Sequence, residues 1–236
     1  MLVAIASNKG GVGKTSLAIE LAYSLKGILV DLDWDYGSAT RACGVDPAGN
    51  RRSSLLEALV GEGRVPSTLK LSGRPELVPS SPWIVEIDAA EANVAAKLRT
   101  WAQGWVRDVV VDTHPGAASL TYAAMAAADL VVVPVVLAGR ELDALEGLLE
   151  EAAEFRLLLV PNRVARWPDL AAIDRLDGLA TRYQVPVATG ISDHHWWPKR
   201  KRRTAVGSVR PPGGAIARAQ AELQALAEGV RREVER

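Results

Sequence analysis

Cysteine is almost absent: Cys43 stands alone in 236 residues. That excludes an internal disulfide framework, a cysteine zinc cluster and an iron–sulfur site held by several cysteines of one chain. It fits a reducing cytoplasm. Net charge is absent as well, because 28 Lys plus Arg balance 28 Asp plus Glu. Neutrality excludes no nucleic-acid role, since distribution decides that question. No run approaches the roughly 20 apolar residues needed to cross a bilayer. The apolar start Met1–Ser7 carries no basic leader and meets a Gly/Lys loop at once, so it reads as a strand and not as a signal peptide. Internal repeats and long linkers are missing too. With 48% hydrophobic and 24% charged residues, the chain reads as one ordinary globular domain over 1–236 with a sizeable core.

What is present is an alternation of short apolar runs with helical stretches. Leu2–Ser7, Gly27–Leu32, Val109–Asp112, Leu130–Val136 and Leu157–Val160 are nearly continuous apolar segments, as strands buried on both faces of a parallel sheet must be. Glu76–Ser80 and Val185–Ala188 are weaker strand candidates. Helices are expected at Lys14–Leu25, Ser54–Leu59, Ala89–Trp105, Ser119–Ala127, Glu141–Ala153 and Leu170–Tyr183. Ser54-Leu-Leu-Glu57 fits a capping box. A last helix, about Gly214–Val234, places Ile216, Ala219, Leu223, Leu226, Val230 and Val234 on one core-docking face. The fold class is therefore α/β, a doubly wound, mostly parallel sheet flanked by helices, with ligands expected at the carboxyl ends of the strands.

Ser7-Asn-Lys-Gly-Gly-Val-Gly-Lys-Thr-Ser16 follows the first strand and opens a helix. Gly10, Gly11 and Gly13 allow backbone N–H groups to turn inward around phosphate oxygens, with Val12 between them. The positive end of the following helix adds to that field. Lys14 is placed to reach the β- and γ-phosphates, Thr15 to offer its hydroxyl to Mg²⁺, and Ser16 closes the cradle. This is a P-loop, and it departs from the ordinary form: Asn8 stands where a glycine belongs, and Lys9 lies inside the loop.

These residues resemble the deviant Walker-A loop of the ParA/MinD family of ATPases, Lys-Gly-Gly-x-Gly-Lys-Thr/Ser. The resemblance implies a homodimer that forms on ATP binding and sandwiches two ATP molecules, with Lys9 reaching the partner's phosphates. A cation supplied in trans stabilises phosphoryl-transfer charge as an arginine finger does. Asp31-Leu-Asp-Trp-Asp-Tyr-Gly-Ser-Ala-Thr40 is similar to the family's Asp-x-Asp-Pro-Gln-Gly-Asn-Ala-Thr segment. It implies that Asp33 orients the attacking water or holds magnesium through water. Trp34-Asp35-Tyr36 replaces the family's Pro-Gln, which leaves Asp35 as a second candidate for the same role. Val109-Val-Val-Asp112 followed by Thr-His-Pro-Gly116 resembles the second switch, so Asp112 is expected to hold magnesium through water. His114 reads as a loop residue. Val160-Pro-Asn-Arg163 resembles the strand end whose asparagine reads adenine, and Asn162 can donate and accept as that edge requires. Glu76-Leu-Val-Pro-Ser-Ser81 and Ala128–Val135 also look like family segments. The link after the first helix, Leu25-Lys-Gly-Ile, is shorter than the family's.

Between Asp193 and Glu222 there is no acidic residue and there are seven basic ones. Within that stretch, His194-His-Trp-Trp-Pro-Lys199-Arg200-Lys201-Arg202-Arg203 holds five consecutive cations. Their repulsion is relieved by polyanions, which makes sequence-independent contact with double-stranded DNA the leading reading. A membrane surface and a solvated loop with Trp196 and Trp197 packed on the core are the rivals. The tail 221–236 is rich in Ala, Glu and Arg and makes a poor membrane anchor, so DNA is favoured over membrane. The resemblance thus implies a short ParA-type partition ATPase, cytoplasmic and nucleoid-associated, using ATP and Mg²⁺. No helix-turn-helix extension precedes the first strand, and a ParB-like centromere-binding protein is the expected stimulating partner. A MinD-like positioning ATPase or a small-molecule enzyme of the same fold are the alternatives. One cysteine argues against the nitrogenase-reductase branch, and four tyrosines, none beyond Tyr183, argue against a tyrosine kinase.

Overall fold

The computed structural model describes residues 1–35, 38–47, 53–87, 90–116, 118–200, 204–210 and 212–236. Six strands, β1 (Leu2–Ile5), β2 (Ile28–Asp31), β3 (Glu76–Val78), β4 (Val109–Asp112), β5 (Leu130–Val135) and β6 (Leu157–Pro161), form one sheet in the order β3-β2-β4-β1-β5-β6. Every pairing is parallel. Each strand is buried on both faces, and the two-residue alternation divides its side chains between two cores. Leu2, Ala4, Val109, Val111, Val131 and Val133 face one core, while Val3, Ile5, Val110 and Val132 face the other.

The helices are α1 (Lys14–Ser24), α2 (Ala39–Ala42), α3 (Ser54–Val60), α4 (Glu91–Trp105), α5 (Ser119–Ala127), α6 (Gly139–Glu151), α7 (Leu170–Tyr183) and α8 (Gly214–Glu235). Helices α3 to α7 cover the first core. Helices α1, α2 and α8 cover the second. The stripe on α8 docks as its spacing requires: Ala219, Leu223, Leu226 and Val230 are buried, with Ile216 and Val234 packed at its ends. Each fully buried Leu or Val there contributes about 1.5–3 kcal/mol. Cys43 lies in the same core, 2% exposed, where burial pushes its thiol up to about 12.

Three local expectations need correction. The cap of α3 is Ser53, not Ser54: Ser53 is extended and its Oγ accepts from Leu56 N at 3.0 Å, whereas Ser54 is already helical. Val185–Ala188 contributes a single bridge, Leu159 to Val187. Extending it in either direction would need an amide hydrogen from Pro161 or Pro186, and neither has one. Helix α2 and the 3₁₀ turn Pro82–Glu86 are additional elements. The short α1–β2 link is a Schellman turn: Lys26 is left-handed at φ 54°, and Gly27 N donates to Ala22 O at 2.9 Å. A Cβ on Gly27 would stand 2.6 Å from the Asp108 carbonyl oxygen, so the turn admits only glycine there.

Candidate functional site

The strand order reverses between β1 and β4, whose carboxyl ends therefore open a crevice. The loop leaving β1 fills it. Ser7 Oγ donates to Lys9 O at 2.6 Å, and Gly11 and Gly13 take φ values of 81° and 100°. Gly13 caps α1 without any side-chain hydrogen bond, so the first amides of the helix remain available to an anion. The loop is braced from two sides. Asn162, at the end of β6 and 6% exposed, donates its Nδ2 to Val12 O at 2.7 Å. From the β4 side, Gly116 N donates to Ser7 O at 3.1 Å and Thr113 Oγ1 to Ile5 O at 2.8 Å. Gly10, Gly11 and Ser16 are exposed, while Thr15 is half-buried.

Beneath this loop lie three acids and one lysine. Asp31 and Asp112 stand side by side in the β2–β4 register. Asp31 is fully buried and organises the loop after β2. Its Oδ1 accepts from Asp33 N at 3.0 Å, and its Oδ2 accepts from Thr40 N at 2.6 Å and Thr40 Oγ1 at 2.5 Å. Burial nevertheless raises its carboxyl to about 7, with the Thr40 hydrogen bonds pulling the other way. Burial also raises Asp112 well above the carboxylate range, and the neighbouring Asp31 charge adds to this. The Thr15 hydroxyl and Lys14 offset part of that shift. Both Asp112 oxygens are buried with no hydrogen bond of normal geometry. Lys14 is buried too; desolvation lowers its ammonium, and the charges of Asp112 and Asp33 restore part of it. Two orphaned carboxylate oxygens beside a hydroxyl are hard donors suited to Mg²⁺. The donor chemistry therefore fits the ion that the loop implies.

Lys9 lies at the rim, its Nζ 3.8 Å from Glu141 Oε1 on α6. Asp33 is buried, and its Oδ1 receives two contacts at 3.0 Å, from Asp35 N and from His114 Nδ1. Asp35 Oδ2 stands 3.8 Å from the same His114 nitrogen. The His114 ring stacks on Trp34 with centroids 4.0 Å apart. His114 is thus part of the site and not merely a loop residue. Its contact joins segments 81 positions apart, which no local motif announces.

The basic segment sits across the second core. Trp196 and Trp197 pack partly buried against that core, and His194 Nε2 is 2.9 Å from Glu222 on α8. Lys199 is exposed. Arg200 is half-buried, with its guanidinium 6.0 Å from both tryptophan rings and its Nη2 3.7 Å from Glu20 of α1. Lys201, Arg202 and Arg203 lie outside the described residues. Glu20 escaped the sequence reading: it is 1% exposed and accepts from Val206 N at 2.6 Å and Gly207 N at 3.3 Å. Its spacing three residues after Leu17 and one before Leu21 puts it inside the apolar stripe, which was the available signal.

A family profile described as an AAA domain matches residues 1–162. The chain is 35% identical over 221 residues to the chromosome-partitioning ATPase Soj of Thermus thermophilus, spanning 91% of this chain and 86% of that protein. Among solved structures, an ATP complex of Cyanothece McdA superposes with a TM-score of 0.76 at 17% identity, over 99% of this chain and 96% of the other. The septum site-determining protein MinD of Pyrococcus horikoshii, solved with Mg-ADP, gives 0.73 at 21% identity, over 97% and 95% of the two chains. These two structures share the fold seen here.

Proposed function

The chain belongs to the ParA/MinD family of deviant Walker-A ATPases, and from that premise we propose that it is a ParA-type partition ATPase. ATP closes two copies into a homodimer, the dimer binds double-stranded DNA without sequence preference, and hydrolysis releases it. A ParB-like centromere-binding protein stimulates the hydrolysis, in the cytoplasm and on the nucleoid. The observation that carries the ATPase reading is the buried, orphaned Asp112 carboxylate beneath an uncapped helix start, with Lys14 and Thr15 beside it. Thr15 directly, and Asp112 and Asp33 through water, would hold Mg²⁺, which when bound neutralises phosphate charge.

The protein's own groups do the rest. Backbone amides of Gly10 to Ser16 cradle the phosphates, and Lys14 offsets charge on the γ-phosphoryl oxygens. Asp33 orients the water whose oxygen bonds to the γ-phosphorus as the bond to ADP breaks. Lys9, at the rim and partly exposed, is placed to swing from Glu141 to the nucleotide of the partner. Asn162 lies against the loop where the base end of the nucleotide would meet β6.

The DNA reading is favoured over a membrane one by α8, whose apolar face is already covered by α1 and the sheet. No helix among the described residues is long and apolar enough to cross a membrane. The test is double-stranded DNA binding with ATP, ADP and no nucleotide across a salt series, beside a variant with alanine at 199–203. Binding that needs ATP, weakens steeply with salt and is lost in the variant is the expected result. No binding in any nucleotide state removes the partition reading, and ATP-dependent binding to anionic vesicles instead would replace it with a membrane role.

A further inference from the structure

Resting on the ATPase reading above, we propose that His114 is the positioning residue for Asp33, locking the carboxylate that orients the hydrolytic water. The argument is one of valence and freedom. Asp33 Oδ1 accepts from Asp35 N and from His114 Nδ1, each at 3.0 Å. With a carboxylate as acceptor, Nδ1 carries the hydrogen, which fixes the tautomer. Among the described residues no donor reaches Oδ2. One oxygen is therefore pinned by two donors, and the other is left to accept from water.

The pin itself is rigid. The His114 ring lies 15° from parallel to Trp34 at 4.0 Å, so it cannot rotate without losing the stack. Its carbonyl is fixed by Thr121 Oγ1 at 3.0 Å. The backbone of Asp33 is fixed separately, its N–H donating to Asp31 Oδ1 at 3.0 Å. His114 follows Asp112 by two residues, so the segment that would meet the metal and γ-phosphate is the segment that holds the water-orienting acid. A donor held this way to a carboxylate is worth about ten- to hundredfold in rate when the acceptor acts in the transition state.

The donor atom can be isolated by substitution, because the amide nitrogen of Asn falls near Nδ1 and that of Gln near Nε2. In single-turnover ATP hydrolysis with Mg²⁺, His114→Ala is expected to slow turnover about ten- to hundredfold while ATP affinity, by calorimetry, stays within about twofold. His114→Asn should recover most of the rate and His114→Gln should not. In an Asp33→Ala background, removing His114 should cost nothing further. Should His114→Ala fold poorly, Trp34→Ala, which leaves the donor but frees the ring, is expected to slow turnover with ATP affinity kept. Wild-type turnover in His114→Ala, equal rescue by Asn and Gln, or a further loss in the Asp33→Ala background overturns the proposal. A wild-type chain that neither binds nor hydrolyses ATP overturns the ATPase reading instead, so the two failures are told apart.

Discussion

Replacing Glu20 with glutamine should flatten the pH dependence of folding stability. Glu20 is buried, and desolvation raises its carboxyl from 4.5 to about 7. The amides of Val206 and Gly207 and the Arg200 charge lower it only in part. Because the folded protein holds this proton more tightly than the unfolded chain, the group favours folding most at low pH. That contribution disappears as the pH rises through about 7. Integrating between pH 5 and 8 gives a loss of about 2–3 kcal/mol for the wild type relative to a non-titrating side chain. For a chain of this size that is about 5–10 °C in Tm. The assay is urea unfolding of wild type and Glu20→Gln at half-unit intervals over that range. Gln keeps an acceptor for Val206, and titrations shared by both proteins, Asp31 included, cancel in the difference. A stability difference that stays constant within about 0.5 kcal/mol from pH 5 to 8 would refute the buried-carboxyl argument.

Gly13→Ala should cost about 2–4 kcal/mol and weaken ATP binding more than about tenfold, because the residue sits at φ 100° and its new Cβ would stand 2.3 Å from Asn162 Nδ2. Thermal melts and calorimetry check both effects, and an unchanged melt would show that the loop relaxes freely. Lys9→Ala should leave ATP affinity within about threefold, since among the described residues the side chain holds only a 3.8 Å contact to Glu141, yet lose the proposed ATP-dependent dimer in sedimentation. A dimer of normal stability would sink the trans role.

The sheet was legible because strands such as Val109–Asp112 and Leu130–Val135 are buried on both faces and leave no polar alternation to misread. The phosphate loop was legible because its glycines and lysine are contiguous. What escaped depends on distance along the chain. Asp31 reads as one acid among several, and only the fold shows it buried against Thr40, itself bonded to Ser80 N at 2.7 Å. His114 meets Asp33 through β2 and β4 lying side by side, a pairing no spacing encodes. The boundary between Ser53 and Ser54 turned on one ψ angle, and the lone Val187 bridge on two prolines.

The single thiol has a practical corollary. Only the thiolate reacts with maleimides and disulfide probes. Cys43, 2% exposed and raised to about 12, stays protonated and covered throughout the working range of such reagents. The unmodified sequence is therefore already a silent background for site-specific labelling. One cysteine introduced on an exposed position, such as Trp167 at 83% exposure, would carry a fluorophore or spin label alone. The proposed closure of two subunits on ATP could then be tested in a protein whose native residues are otherwise intact.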